Sequence, residues 1–199
     1  MTVDLPETAL ELRSLVTSAG TLQLSLQEVP VPSPGDNEVL VRVEAAPINP
    51  SDLGLLVASA DMSAATVEGT RERPVVTVPL GDVSALRARL DQSLPVGNEG
   101  AGTVIAAGSA PTAQALIGKT VAIAGGAMYS QYRAIDATAC LVLPDGASAR
   151  ALRPHEVDAH IALVEVDLDR IIDNRIDCDA GKARMAARIG IIGADAHQT

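Results

Sequence analysis

The sequence predicts a mainly β protein in which turns join the strands of an antiparallel sheet or barrel. Leucines alternate with polar residues over Leu22–Leu26, and valines recur at every second position over Val39–Val43, as expected of half-buried strands. Between them, Pro30–Gly35 holds three prolines and a glycine and therefore interrupts regular structure. Hydrophobic residues make up 47% of the 199 positions and aromatic residues only 1%. The core must therefore consist mainly of Val, Leu, Ile and Ala, which suits strands.

The remaining elements follow from the same criteria. A first strand is predicted from Leu12, and later strands over Gly102–Ala107, Thr120–Ala124, Tyr129–Ile135 and Cys140–Leu143. Two short helices are predicted over Asp52–Ala60 and Ser84–Ser93, the second with Ser84 as its N-cap. The stretch between the first helix and Pro74 is predicted to be a loop.

Composition and charge exclude several classes of protein. The net charge of −10 and the presence of only two aromatic rings argue against nucleic-acid binding. The two cysteines, Cys140 and Cys178, lack the spacing of a zinc ribbon or a disulfide framework. The acidic N-terminus does not resemble a signal peptide, and no apolar run approaches the roughly 18 residues of a membrane span. A cytoplasmic protein without membrane contact is predicted.

The character of the sequence changes near Gly146. Charged side chains occupy 24 of residues 1–146 but 16 of the last 53, and all three histidines lie in the second part. We therefore predict one domain over residues 10–146. Residues 147–199 are predicted to be a divergent tail, either α/β or disordered.

Four segments of the first part resemble the N-terminal domain of medium-chain dehydrogenases/reductases, in particular their zinc-independent quinone oxidoreductase and enoyl reductase branch. They occur in order at Leu26–Gly54, Val96–Ser109, Ile117–Ile135 and Cys140–Gly146. The second contains GNE-x-x-G-x-V-x-x-x-G, in which Asn98 replaces the metal-binding His of zinc-dependent members. The resemblance covers residues 12–146 and implies a GroES-like, partly open β-barrel.

The resemblance also implies a second domain, a Rossmann fold that binds NADP(H) or NAD(H). Such a domain needs about 150 residues, and 53 follow Gly146, so a complete Rossmann domain is not expected. The nearest glycine-rich turn, Ile189–Ala196, lacks the G-x-G-x-x-G spacing, and a plain terminal element is favoured there. We therefore expect no tightly bound cofactor on this chain.

Site residues follow from the resemblance at the INPSD segment. There, the resemblance implies that Asn49, and with less weight Ser51, contact the nicotinamide region, whereas an Asn-Pro turn is the structural alternative. The chain has Pro47, Asn49 and Ser51 where zinc-binding members supply a Cys, and together with Asn98 this predicts no metal.

No catalytic residue is established by the sequence, and Asp52 and Tyr129 are the candidates. Asp52 could polarise a substrate, but capping of the following helix is the favoured interpretation. Tyr129 and Tyr132 could donate to a carbonyl oxygen, although a buried strand tyrosine is favoured. Glu99 is predicted to pair with an Arg or a backbone amide.

Other chemical groups are interpreted as structural. Cys140 has no neighbouring base and is predicted to be an apolar strand residue. The spacings within the group His155, His160, Cys178 and His197 fit no ligand pattern, and the acids over Asp167–Asp179 lack the order of a calcium loop.

Two functions remain open. The first is an NAD(P)H-dependent reductase of quinones or activated alkenes, truncated or frame-disrupted after Gly146 and thus of little activity alone. It would act on a small-molecule substrate. The second is a non-catalytic GroES-like interaction module that homodimerises or binds a partner chain through the exposed face.

Overall fold

The computed structural model describes residues 5–57 and 60–149. This part is mainly β, as the sequence predicts. The ten strands are β1 Thr8–Val16, β2 Thr21–Pro30, β3 Glu38–Ala45, β4 Thr66–Gly69, β5 Pro74–Pro79, β6 Ser93–Pro95, β7 Glu99–Ala107, β8 Thr120–Ala124, β9 Tyr132–Asp136 and β10 Cys140–Val142. The two α-helices are α1 Pro50–Leu56 and α2 Pro111–Gln114, and short 3₁₀ helices occupy Met62–Ala64, Ser84–Arg89 and Ala137–Ala139.

The strands form two antiparallel sheets of five. One has the order β4-β5-β2-β1-β6 and the other the order β10-β8-β7-β3-β9. Each order begins and ends on different strands, so neither sheet closes on itself. This arrangement confirms the predicted GroES-like, partly open barrel.

The two sheets are joined where β1 meets the segment that leads into β9. The backbone N–H of Leu12 donates to the carbonyl of Tyr129 at 2.8 Å, and that of Gln131 donates to the carbonyl of Leu10 at 3.0 Å. The chain also passes directly from β6 in one sheet to β7 in the other through Val96–Asn98. The Val96–Asn98 connection therefore lies at the junction of the two sheets.

Aliphatic side chains fill the core, as the near absence of aromatic residues requires. In the second sheet, Val39, Val41 and Val43 pack with side chains of β7 and β8 such as Val104 and Val121. Close approach of β3 and β7 excludes a side chain at Gly102, where a Cβ atom would lie 2.1 Å from the carbonyl oxygen of Arg42. The glycine pattern of β7 is thus a packing requirement as well as a sequence signature.

The middle of the chain differs from the prediction. The segment before Pro74 contains strand β4, which pairs with β5 as a hairpin at the edge of the first sheet. The helix predicted over Ser84–Ser93 is present only as a 3₁₀ helix over Ser84–Arg89, and strand β6 begins at Ser93. Ser84 is not its N-cap, since the N–H of Ser84 donates to Asp82 Oδ1 at 2.8 Å and the cap position is Val83.

Several predictions lie outside the described residues. They are the tail from residue 150 onward, with Ile189–Ala196, the histidines and the acidic stretch Asp167–Asp179. The boundary at Gly146 stays a prediction. None of the helices within residues 5–57 and 60–149 has the length and apolarity that a membrane crossing requires.

Candidate functional site

The INPSD segment forms the entry of α1. Asn49 occupies the N-cap position with extended backbone angles, and Pro50 takes the first turn, where its missing N–H costs nothing. The backbone N–H of Asn49 donates to Asp52 Oδ2 at 2.7 Å. The Asn-Pro pair therefore begins the helix, and Asp52 closes its first turn as a capping residue.

Asp52 also ties α1 to the junction of the two sheets. Its side chain is only 1% exposed, and its second oxygen, Oδ1, accepts from the backbone N–H of Asn98 at 2.9 Å. Both carboxylate oxygens thus bind backbone amides that lie far apart in the chain. Asp52 has the geometry of a structural clamp between α1 and the Val96–Asn98 connection.

This clamp brings Ser51 and Asn98 together. Asn98 Nδ2 lies 3.1 Å from Ser51 Oγ and donates to it. Ser51 is exposed and Asn98 is half-buried, so the pair faces outward at the junction of the two sheets. Because Ser51 Oγ accepts from the amide, its own O–H points elsewhere and can donate to an acceptor on a ligand.

The loop after β8 folds over the backbone of the same connection. The N–H groups of Gly125 and Gly126 both donate to the carbonyl oxygen of Asn98, at 3.1 and 3.2 Å, and that of Tyr129 donates to the carbonyl of Val96 at 3.0 Å. Gly97 has φ of +93°, and a Cβ there would lie 2.6 Å from Tyr129 Cδ1. Only glycine fits both the backbone angle and the tyrosine ring.

Tyr129 lies beneath the site. It is 2% exposed, and its hydroxyl donates to the carbonyl oxygen of Pro47 at 2.7 Å. Burial, and after it the negative charges of Asp52 and Glu99, raise the pKa of the phenol well above its ordinary value. The proton is therefore held firmly on an oxygen that already has a backbone partner, which favours the buried structural tyrosine over a proton donor to a ligand.

The other predicted candidates lie around this centre or away from it. Glu99 begins β7 and is half-buried, next to Asn98. Tyr132 is half-buried in β9 opposite Arg42 of β3. Cys140 is half-buried at the start of β10, and burial raises the pKa of its thiol, so it lacks the features of a nucleophile.

The donor atoms at this site do not suit zinc. They are a side-chain amide, a hydroxyl and the carboxylate of Glu99, while both oxygens of Asp52 are taken by backbone amides. Zinc favours thiolate and imidazole ligands in a tetrahedral set. Within residues 5–57 and 60–149, no three His, Cys, Asp or Glu side chains are arranged to hold a metal ion.

Sequence reasoning missed two residues that brace the site. Arg89 is 8% exposed and Ser14 is fully buried, and both contact the C-terminal turn of α1. Their partners lie 34 to 75 positions away in the chain. No local pattern marks such a contact, whereas Ser51 and Asn98 were visible because each belongs to a recognisable motif.

The chain is similar in sequence to alcohol dehydrogenases. It is 39% identical over 82 residues to alcohol dehydrogenase 1 of Caenorhabditis elegans, an alignment that covers 41% of this chain and 23% of that protein. It is 56% identical over 34 residues to a zinc-type alcohol dehydrogenase-like protein of Schizosaccharomyces pombe, covering 17% of this chain and 10% of that protein. The chain thus spans less than a quarter of either relative.

A similar arrangement of the backbone occurs in a crystal structure from Mesorhizobium loti that is described as an NADPH:quinone reductase. The TM-score is 0.49 with 26% identity, over 74% of this chain and 40% of that one. The alcohol dehydrogenase GroES-like domain family matches residues 35–145, which is more than half of the chain. This match confirms the resemblance to the N-terminal, GroES-like domain, and the chain belongs to the alcohol dehydrogenase GroES-like domain family.

Proposed function

We propose that residues 10–146 are the substrate-side domain of an NAD(P)H-dependent oxidoreductase that reduces a quinone or an activated alkene without a metal ion. The observation that carries this proposal is the Ser51–Asn98 pair. It lies where the INPSD segment and the GNE segment meet, and it offers hydrogen-bond donors instead of metal ligands. The alcohol dehydrogenase name of the C. elegans relative supports the oxidoreductase class.

The chemistry of the pair suits a neutral acceptor such as a carbonyl oxygen. The Ser51 hydroxyl can donate to such an oxygen, and Asn98 fixes the orientation of that hydroxyl by donating to it. Asn49 is the N-cap of the same helix, two positions before Ser51. Although the S. pombe relative is named a zinc-type protein, Asn98 and Ser51 supply no thiolate or imidazole here. Orientation by hydrogen bonds therefore replaces a Lewis acid in this proposal.

A nicotinamide cofactor, held mainly by a nucleotide-binding domain, supplies the hydride in this chemistry. The residues proposed to lie beside it are Asn49 and Ser51. Tight binding of the dinucleotide by residues 5–149 is not expected. An NADPH titration of the purified chain, followed by fluorescence, tests this expectation. Saturable binding at micromolar concentrations would contradict it, because such binding requires a nucleotide site within the chain itself.

The substrate side is tested by titrating a small enone, cyclohexenone, into ¹⁵N-labelled protein. We expect the amide signals of Asn49, Ser51, Asp52 and residues 97–99 to shift, with an affinity that falls about tenfold in Ser51→Ala. The matched control is Ser109→Ala, because the Ser109 hydroxyl bonds Asp36 at 2.8 Å, away from the site. Shifts confined to other regions, or none up to the solubility limit, would contradict the proposal.

A second candidate is an interaction module, and the edge strand β10 favours it. Leu141 is 63% exposed, Val142 43% and Ile117 47%. Ile117 lies beside the end of β10, since it lines the same shallow depression as Leu143. An exposed apolar patch at the edge of a sheet is suited to pairing with another chain.

Sedimentation of the purified chain over a range of concentrations tests this candidate. Association through the patch predicts that Leu141→Glu weakens self-association at least tenfold. Val67→Glu is the matched control, because Val67 is 41% exposed on β4, at the edge of the other sheet. A chain that is monomeric at every concentration, together with no partner chain bound at Leu141, would exclude the module.

A further inference from the structure

Arg89 is a buried cation at the end of the 3₁₀ helix Ser84–Arg89. Its Nη2 donates to Ser14 Oγ at 2.7 Å and to the carbonyl oxygen of Leu55 at 3.3 Å. Its Nη1 reaches the carbonyl oxygens of Gly54 and Leu55, both at 3.4 Å. Ser14 Oγ in turn donates to the carbonyl of Leu55 at 2.6 Å. Two residues from distant parts of the chain thus meet at one turn of α1.

No carboxylate of the described chain pairs with this guanidinium, and its Nε has no partner. Burial lowers the pKa of Arg89, as expected for a cation withdrawn from water. A buried cation without a counter-ion is costly unless dipoles face it. The negative end of a helix provides such dipoles, and the guanidinium lies against the last carbonyl groups of α1.

Helix α1 needs support at this end. It has only seven residues and no basic residue in its last turn. A helix of this length is not stable by itself, and its last carbonyl groups have no partners within the helix. Arg89 supplies both the missing charge and the missing donors from 34 positions away.

The other end of α1 is held by Asp52, which binds the N–H of Asn98. Ser51 lies in the first turn, directly before the Asp52 anchor and three positions before Gly54, whose carbonyl Arg89 contacts. The distance of 3.1 Å between Ser51 Oγ and Asn98 Nδ2 therefore depends on the orientation of the helix about the Asp52 anchor. A helix released at its C-terminal end is free to tilt about the Asp52 anchor.

We propose that Arg89 is a positioning residue of the site, which holds the C-terminal turn of α1 so that Ser51 faces Asn98. The proposal rests on the proposed function only in taking this pair as the groups that contact substrate. Arg89 itself touches no substrate. Its effect on binding is transmitted through α1.

Amide hydrogen exchange followed by NMR tests this proposal without any ligand. In Arg89→Met we expect the amides of Asp52 and Val57 in and after α1 to exchange at least tenfold faster, relative to amides of β3. Arg89→Lys, which keeps the charge but not the fork of donors, should restore part of the protection. Arg87→Met is the matched control, because Arg87 is exposed on the same 3₁₀ helix.

The pattern of exchange separates positioning from general stability. A uniform acceleration in α1 and β3 would overturn the proposal, and so would unchanged exchange in α1. If Arg89→Met does not fold, Ser14→Ala removes only the hydroxyl that bridges Arg89 and Leu55, and the same local acceleration is required of it. The two proposals can fail separately. If exchange in α1 is accelerated locally in Arg89→Met but the wild type does not bind cyclohexenone, the role of Arg89 is supported and the proposed function is refuted.

Discussion

Replacing the buried carboxylate of Asp52 by an amide is the sharpest perturbation of the site. The two oxygens of Asp52 accept from the N–H groups of Asn49 and Asn98, at 2.7 and 2.9 Å. In Asp52→Asn one oxygen remains, and the new NH₂ group faces a backbone N–H that can only donate. One hydrogen bond is lost, and the backbone N–H and the new NH₂ group face each other without an acceptor between them.

The magnitude follows from this geometry. A hydrogen bond to a charged group contributes about 1.5–3 kcal/mol, and a buried donor without a partner costs about 1–3 kcal/mol. The two values cannot simply be added, because the lost hydrogen bond and the unpaired donor are partly the same effect. We expect the free energy of unfolding to fall by about 2–4 kcal/mol, out of roughly 5–15 kcal/mol for a typical domain.

Urea unfolding followed by circular dichroism measures this change. The matched control is Asp61→Asn, because Asp61 Oδ1 accepts from the N–H of Ser63 at 3.0 Å but lies in solvent. We expect a much smaller effect there. If Asp52→Asn costs less than about 1 kcal/mol, or no more than the control does, Asp52 is not the clamp between α1 and Asn98.

Two further predictions concern the contact between Gly97 of the Val96–Asn98 connection and Tyr129. Gly97→Ala should destabilise the fold by about 3 kcal/mol, because alanine is strained at the left-handed backbone angle and its methyl group overpacks against Tyr129. Gly118→Ala is the matched control: Gly118 has φ of +79° but open space around it, so the cost should be about 1 kcal/mol. Thermal unfolding compares the two variants, and equal losses of stability would contradict the steric argument. Tyr129→Phe should cost about 1–2 kcal/mol at neutral pH because the carbonyl of Pro47 loses its donor. The pKa of Tyr129 is raised in the folded state, so the unfolded chain loses the phenol proton first as the pH rises. The stabilisation of the fold by the Tyr129 hydroxyl is therefore complete below about pH 10 and declines above it, by up to about 1.4 kcal/mol per pH unit. Urea unfolding at pH 8 and pH 11 should therefore show the wild type losing more stability than the variant, and parallel losses would refute this.

The sequence by itself determined the class of fold and singled out the two segments that form the candidate site. Period-two alternation of Leu and Val marks β2 and β3 because strands place successive side chains on opposite faces. The INPSD and GNE segments were recognisable because their constraints are local: Pro50 begins a helix, and Gly97 adopts a positive φ. Asp52 as a cap follows from the same local rule.

Only the tertiary structure decided what these segments do to one another. The contact of Asn98 with Ser51 spans 47 positions and that of Arg89 with Ser14 spans 75. Such contacts depend on how the two sheets join, which no local pattern encodes. The Ser84–Ser93 segment shows the same limit: its helical pattern yields a 3₁₀ helix whose last residue, Arg89, contacts α1 from 34 positions away, and strand β6 follows. Local chemistry chose the residues of the site, and long-range packing gave them their geometry.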